Sequence, residues 1–189
     1  MRAMWFETPL GPMVAIGDAY ALAGLHFGGA KHLPNLEQCE EVRDCLLLRR
    51  VQHQVQEYFA GRRASFDLPL AERGTDLQRA VWEALAHIPL GTTISYLELA
   101  RRVGRPRAVR AVAQAVGRNP WTLLRPCHRV VGSDGSLTGF AGGLERKSAL
   151  LALEGKVSRN NRAPTDSSDR PVAADVHPMR AANRPGSGA

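Results

Sequence analysis

No apolar run in the sequence approaches the roughly 18 residues of a membrane span. The first dozen residues, MRAMWFETPLGP, also lack the basic stretch and apolar core of an export signal. The expected setting is the cytoplasm, with no membrane partner. Cysteine is scarce: three in 189 residues, an odd number without an export signal, so free thiols are expected rather than a disulfide framework. Cys39 and Cys45 are six apart on a predicted helix, which is not a zinc-ligand spacing, so both are assigned to core or surface and no metal is inferred. Acidic residues are missing altogether between Arg101 and Ser133, where eight arginines stand (101, 102, 105, 107, 110, 118, 125, 129). By contrast, residues 1–100 carry nine basic against twelve acidic side chains, 101–155 ten against three, and 156–189 six against three. Positive charge is thus segregated, and a polyanion such as nucleic acid is its natural partner. An apolar content of 44% is enough to core one ordinary domain or two small ones.

The first third reads as β structure. Residues 4–7, 13–16 and 22–27 are apolar stretches separated by turn chemistry, with Pro9-Leu10-Gly11-Pro12 in the first gap and Gly28-Gly29 after the last. A small antiparallel sheet is expected. Over 36–59, Val42, Cys45, Leu46, Leu48, Val51, Val55 and Phe59 fall near a 3.6-residue period, which predicts one helix stopped by Gly61. Residues 66–70 suit a further strand and 71–74 a link, dividing an amino-terminal unit, 1–73, from a second unit, 74–155.

In the second unit, Thr75-Asp76-Leu77-Gln78 is a capping-box pattern for a helix through Val81, Leu85 and Ile88, stopped by Pro89 and Gly91. Ser95-Tyr96-Leu97-Glu98 repeats the pattern for a short helix to Val103. Gly104-Arg105-Pro106 breaks it, and Pro106 suits the first position of a helix through Val109, Val112, Ala113 and Val116. Helix, tight turn, helix is the expected result. Arg107 and Arg110 fall near the amino end of its second helix, the part that a helix-turn-helix presents to DNA. From 156 to 189 apolar periodicity disappears, and a disordered tail is predicted.

The chemistry is concentrated in Asn119-Pro120-Trp121-Thr122-Leu123-Leu124-Arg125-Pro126-Cys127-His128-Arg129-Val130-Val131. A thiol attacks as thiolate, and nearby imidazole and guanidinium groups favour that form. His128 is then the general base and needs an acid elsewhere to orient it. Neighbouring side chains on an extended strand point to opposite faces, so a direct Cys127–His128 bond requires a turn or a bridging water. The water is the expectation.

PCHRVV at 126–131, with Asn119-Pro120 before it and Gly139, Gly142-Gly143 and Leu150-Leu151-Ala152-Leu153-Glu154-Gly155 after it, closely resembles the O6-alkylguanine-DNA alkyltransferases, or methylated-DNA–protein-cysteine methyltransferases. The likeness extends upstream through Gly74-Thr75, Gln78, Val81-Trp82, Ile88-Pro89, Gly91, Ser95-Tyr96, Leu99-Ala100 and Arg110-Ala111-Val112. Thr8-Pro9-Leu10-Gly11-Pro12 resembles the opening hairpin of the family's amino-terminal domain. The resemblance implies an α+β fold. A small ribonuclease-like domain of antiparallel sheet and one helix precedes a mainly helical catalytic domain with a winged helix-turn-helix. It also implies a monomer without cofactor that moves an alkyl group from O6-alkylguanine, and O4-alkylthymine, in double-stranded DNA irreversibly to Cys127.

By the same resemblance, His128 corresponds to the base acting through water, Glu154 to the carboxylate that orients it, and Asn119 to the brace of the turn before the thiol. Tyr96 corresponds to the phenol donating to N3 of the departing guanine, and Phe140, Ala141, Gly142 and Val130 to the lining of the base pocket. Arg110 corresponds to the finger that fills the stack once the base is flipped out. Ser95, Arg107, Ala111 and Arg129 complete the DNA face. Two departures stand out: Arg125 replaces a usually apolar residue and adds charge near the thiol, and Ala141 replaces a serine hydroxyl of some members. The zinc-binding cysteine cluster of some relatives has no counterpart. Two rival readings are a lesion-binding protein of the alkyltransferase-like kind and a helix-turn-helix regulator. Cys127, absent from the former, argues against the first; the lack of a dimerisation segment argues against the second.

Overall fold

The computed structural model describes residues 1–71 and 73–160. Strands β1 (Arg2–Phe6), β2 (Met13–Gly17) and β3 (Leu22–Phe27) pair antiparallel, and β4 (Glu40–Glu41) joins β1 in parallel, giving the order β3-β2-β1-β4. Every residue of β2 and β3 is buried, so the central strands are covered on both faces. Helix α1 (Leu46–Phe59) covers one face with Leu48, Val51 and Val55; Leu33, Leu36 and Cys39 cover the other at Ala3, Val14 and Ile16. This corrects the helix predicted over 36–59. One helix cannot serve both faces, so 36–45 crosses as irregular chain carrying β4. The expected strand at 66–70 is likewise reduced to a bridge at Leu70, because the Gln54 amide occupies the backbone of Asp67 through both its carbonyl and N–H, at 3.1 and 3.0 Å.

Helix α2 (Asp76–Ala86) has the predicted capping box: Thr75 Oγ1 accepts from Gln78 N while Gln78 Oε1 accepts from Thr75 N. A two-residue strand, β5 (Ile94–Ser95), leads into α3 (Tyr96–Arg102), capped by Ser95 Oγ accepting from Glu98 N. The second box does not close, because the Glu98 carboxylate pairs with Arg102 at 3.0 Å. Pro106 does not open the next helix either. Gly104, at φ +69°, and the following turn intervene, and α4 (Val109–Gly117) begins after Ala108. Val112, Ala115 and Val116 pack inward, and Trp82 Nε1 donates to Ala115 O at 2.8 Å, fixing α4 on α2.

A 3₁₀ turn at Cys127–Arg129 runs into β6 (Val130–Val131), parallel to β5, and α5 (Leu144–Asn160) closes the described chain. Helix α5 continues past 155, so residues 156–160 are not tail. Its last turns lie against Gly61 and Gly91; a Cβ at Gly91 would stand 2.8 Å from that of Ser158. The remainder of the predicted tail, 161–189, lies outside the described residues. The two units are stitched at the outer edge of β3. There Leu25 N donates to Pro120 O, Thr122 N to Leu25 O, and Trp121 Nε1 to Leu22 O, at 2.8–3.0 Å. The segment that leads to the thiol is thereby held as an extension of the amino-terminal sheet. Among the described residues no helix is long and apolar enough to cross a membrane.

Candidate active site

The chain between Asn119 and Cys127 must turn back sharply to bring the thiol into the core. Asn119 organises that turn: its Nδ2 donates to Arg125 O at 2.7 Å and to Trp121 O at 3.4 Å, and its Oδ1 accepts from Trp121 N at 3.1 Å. Leu123 sits at φ +73°, a left-handed conformation costing a side-chain-bearing residue about 1–2 kcal/mol. The Asn119 bonds and the burial of Leu123 sustain it. Cys127 is 6% exposed at the end of this segment, and the turn that follows it replaces the extended strand considered from the sequence.

Burial pushes the Cys127 thiol up from its ordinary value, and the Asn119 side chain and Lys147 ammonium only partly oppose this. The resting group is therefore a thiol, and the favouring of the thiolate by neighbouring cations, considered from the sequence, is outweighed by burial. Arg125, one of those cations, turns away: its guanidinium pairs with Glu83 at 2.9 Å.

His128 is fully buried, and its Nε2 lies 2.9 Å from Glu154 Oε1. An ionised carboxylate only accepts, so Nε2 carries the proton and Nδ1 offers a lone pair. Nδ1 is buried and makes no hydrogen bond among the described residues. Burial holds the imidazole below its ordinary value, with Glu154 pulling the other way and Arg129 and Lys147 reinforcing burial. For Glu154, burial alone would raise the carboxyl; hydrogen bonds and charge from His128 and Arg129 outweigh it and hold the group well below the usual carboxylate range. His128 is thus prepared as a neutral base beside an anionic Glu154.

Three assignments made from the sequence are corrected. Arg129 cannot touch DNA: it is 5% exposed, with Nε 2.9 Å from Glu154 Oε2, Nη2 2.7 Å from Oε1, and Nη1 bonded to Ile88 O. Val130 is fully buried and its carbonyl accepts from Lys147 Nζ at 2.5 Å, so neither its side chain nor that oxygen faces a pocket. Gly142 is half-buried against Phe27, and its neighbours Ala141 and Gly143 line the cleft in its place. The other expected groups converge. A cleft of about 680 Å³ is lined by Tyr96, Phe140, Ala141, Gly139, Arg110 and Ala113. Tyr96 Oη, which donates to Thr138 O or Gly139 O at 3.2 Å, marks one wall, and exposed Arg110, at the amino end of α4, marks the rim. Arg107 is exposed on the turn before α4 and Ala111 half-buried on it. Another cleft, about 700 Å³, is lined by Leu68, Arg73, Trp82, Trp121 and Arg125 and includes none of these groups.

Two residues escaped the sequence reading. Lys147 is fully buried, and its Nζ donates to Val130 O and to Thr138 O at 2.6 Å, tying the 132–143 loop to β6. Its spacing to Leu150 and Glu154 puts it on the inward face of α5, a signal that a periodicity search restricted to apolar residues passes over. Tyr58, on the inward face of α1 with Val51 and Val55, reaches Glu154 from the other unit.

A buried thiol, imidazole and carboxylate on the same unit as an exposed basic helix-turn-helix define a DNA-binding protein with a nucleophilic cysteine. The models of the 6-O-methylguanine DNA methyltransferase ribonuclease-like and DNA binding domains match residues 1–71 and 76–156. The chain belongs to the 6-O-methylguanine DNA methyltransferase family. It is 45% identical over 148 residues to the methylated-DNA–protein-cysteine methyltransferase of Methanosarcina barkeri, covering 78% of this chain and 93% of that protein. With the Mycobacterium tuberculosis protein of the same name it shares 41% over 160 residues, covering 85% and 93%. The crystal structure of Mycobacterium tuberculosis OGT in complex with DNA matches with a TM-score of 0.77 at 39% identity, covering 83% of this chain and 94% of that one.

Proposed function

We propose that Cys127 accepts the alkyl group from O6-alkylguanine, and from O4-alkylthymine, in double-stranded DNA, and that each monomer does so once. The observation that carries this reading is the adjacency of the buried thiol to an imidazole whose Nε2 is committed to Glu154, leaving Nδ1 as the acceptor. The thiol proton passes to His128 through water. Sulfur then attacks the alkyl carbon, the S–C bond forms as C–O6 breaks, and the guanine leaves with a hydrogen bond from Tyr96 to N3 in place of those to the loop carbonyls. Lys147 offsets the charge on sulfur, Asn119 holds the turn, and Phe140 and Ala141 flank the base. Arg110 enters the stack, while Arg107, Ala111 and the Ser95 hydroxyl meet the backbone. The resulting thioether has no evident leaving route, which makes the reaction single-use. The setting is the cytoplasm, and the working units are 1–73 and 74–160, the second running to the end of α5.

Intact-mass measurement after incubation with duplex DNA containing O6-methylguanine tests the reading. One methyl per molecule, mapped to Cys127, is expected; repair of several lesions per molecule, or an unmodified protein, overturns it.

Base extrusion is separable from chemistry. Unstacking costs a few kcal/mol, so Arg110→Ala slows transfer from duplex roughly tenfold or more, and slows transfer from free O6-benzylguanine far less. Equal losses on the two substrates would move Arg110 from the DNA to the fold or the pocket.

A further inference from the structure

The amino-terminal unit contributes a side chain to the carboxylate that serves the base. Tyr58 lies near the end of α1, 2% exposed, and its hydroxyl donates to Glu154 Oε1 at 2.7 Å. The same oxygen accepts from His128 Nε2 at 2.9 Å and from Arg129 Nη2 at 2.7 Å, while Oε2 accepts from Arg129 Nε at 2.9 Å and from Gly91 N at 3.2 Å. The ring packs against Phe59 and Phe66 with centroids 5.5 and 5.7 Å away. We propose that Tyr58 is a positioning residue for alkyl transfer, which locks Glu154 against His128 and withdraws enough charge from Oε1 to keep the imidazole neutral with Nδ1 free.

Hydrogen bonds to a carboxylate lower its basicity. A less basic Oε1 pulls less on the His128 Nε2–H, so the proton affinity of Nδ1 falls; without the phenol it rises. The charged and titratable groups facing this pair are Cys127, His128 and Arg129 from the turn, Lys147 and Glu154 from α5, and Tyr58 from α1. Apart from His128, whose own Nε2–H bond is the one being tuned, none of these other groups is a neutral donor to Oε1. Burial and then the adjacent Glu154 charge push the Tyr58 phenol up, so it remains a donor wherever the protein is folded. Arg129 also donates to this carboxylate, but as a full charge that burial obliges Glu154 to neutralise. The phenol adds no such obligation, which leaves charge withdrawal and orientation as its contribution.

The proposal rests on His128 being the base, and its test separates the two. Tyr58→Phe in the full-length chain retains the ring and removes only the hydroxyl. The measurements are the pH dependence of the rate of transfer from O6-methylguanine duplex and the His128 side-chain titration by NMR. The acid limb and the His128 titration are both expected to move upward by about half a pH unit or more, so that transfer on the acid side falls roughly threefold further than at alkaline pH. Phe66→Leu loosens the same aromatic cluster with the hydroxyl intact and leaves the limb in place. Fluorotyrosine at position 58 is a stronger donor and moves the limb the opposite way, a readout that stands if Tyr58→Phe does not fold. A loss that is equal at every pH, with the His128 titration unmoved, reduces Tyr58 to a packing residue. Absence of transfer by the unaltered protein would instead sink the functional reading.

Discussion

Cys127→Ser abolishes alkyl transfer and leaves affinity for DNA unchanged. The hydroxyl is a far weaker nucleophile than the thiol, and the surrounding groups are arranged for a proton that His128 can take from sulfur but scarcely from an alcohol. The substitution is nearly isosteric at a site 6% exposed, so the turn held by Asn119 survives it. Arg107 and Arg110, which carry the proposed contacts to DNA, are exposed on a different segment from the thiol. Transfer of label from methylated duplex to protein and fluorescence anisotropy of the same duplex report the two properties separately. A serine variant that still clears O6-methylguanine would remove Cys127 from the reaction.

Glu154→Ala destabilises the protein by about 3–5 kcal/mol, because it leaves the buried Arg129 guanidinium without a counter-charge. The donors on His128 and Tyr58 lose their partner at the same time. Against a total stability of roughly 5–15 kcal/mol this is enough to unfold a marginal domain. The midpoint of urea denaturation measures it, and a loss under about 1 kcal/mol would show that the cluster is solvated or rearranges. Acid has the same effect by a different route. The folded Glu154 carboxyl is held below its ordinary value of 4.5, so its contribution is complete above that pH and is lost progressively as pH falls beneath it. In Glu154→Gln the acid-side decline in stability is correspondingly shallower.

Local signals in the sequence translated well into structure where the deciding interactions are themselves local. The Thr75 cap needs only Gln78, three positions away, and the Ser95 cap only Glu98. Where a competing partner lay close by, the local rule failed in part: Arg102 drew the Glu98 carboxylate out of its box. The helix predicted over 36–59 failed for a non-local reason. Leu36 and Cys39 pack on one face of the sheet, whereas Val42, Cys45 and the residues of α1 pack on the other, although all share one hydrophobic period. Among the arginines, nothing in the local sequence separates Arg129, sealed against Glu154, from Arg110, exposed at the cleft.

The sequence alone determined the class of chemistry, since PCHRVV and the residues aligned around it specify a thiol, a base and a surrounding basic block by identity and order. It also determined the helix-turn-helix, whose first helix is capped by Ser95 and ended at Gly104 through local signals, though not the starting point of the second helix. Only the tertiary structure decided which charges serve which purpose. Burial is a property of the assembled core: it raised the thiol of Cys127, kept His128 neutral and turned Arg129 inward, while Arg125 was left to pair with the exposed Glu83. It also brought Lys147 beneath the loop and Tyr58 from 96 positions away onto Glu154. Such contacts depend on the packing of α1 and α5 around the turn at Cys127, and no window of sequence contains them.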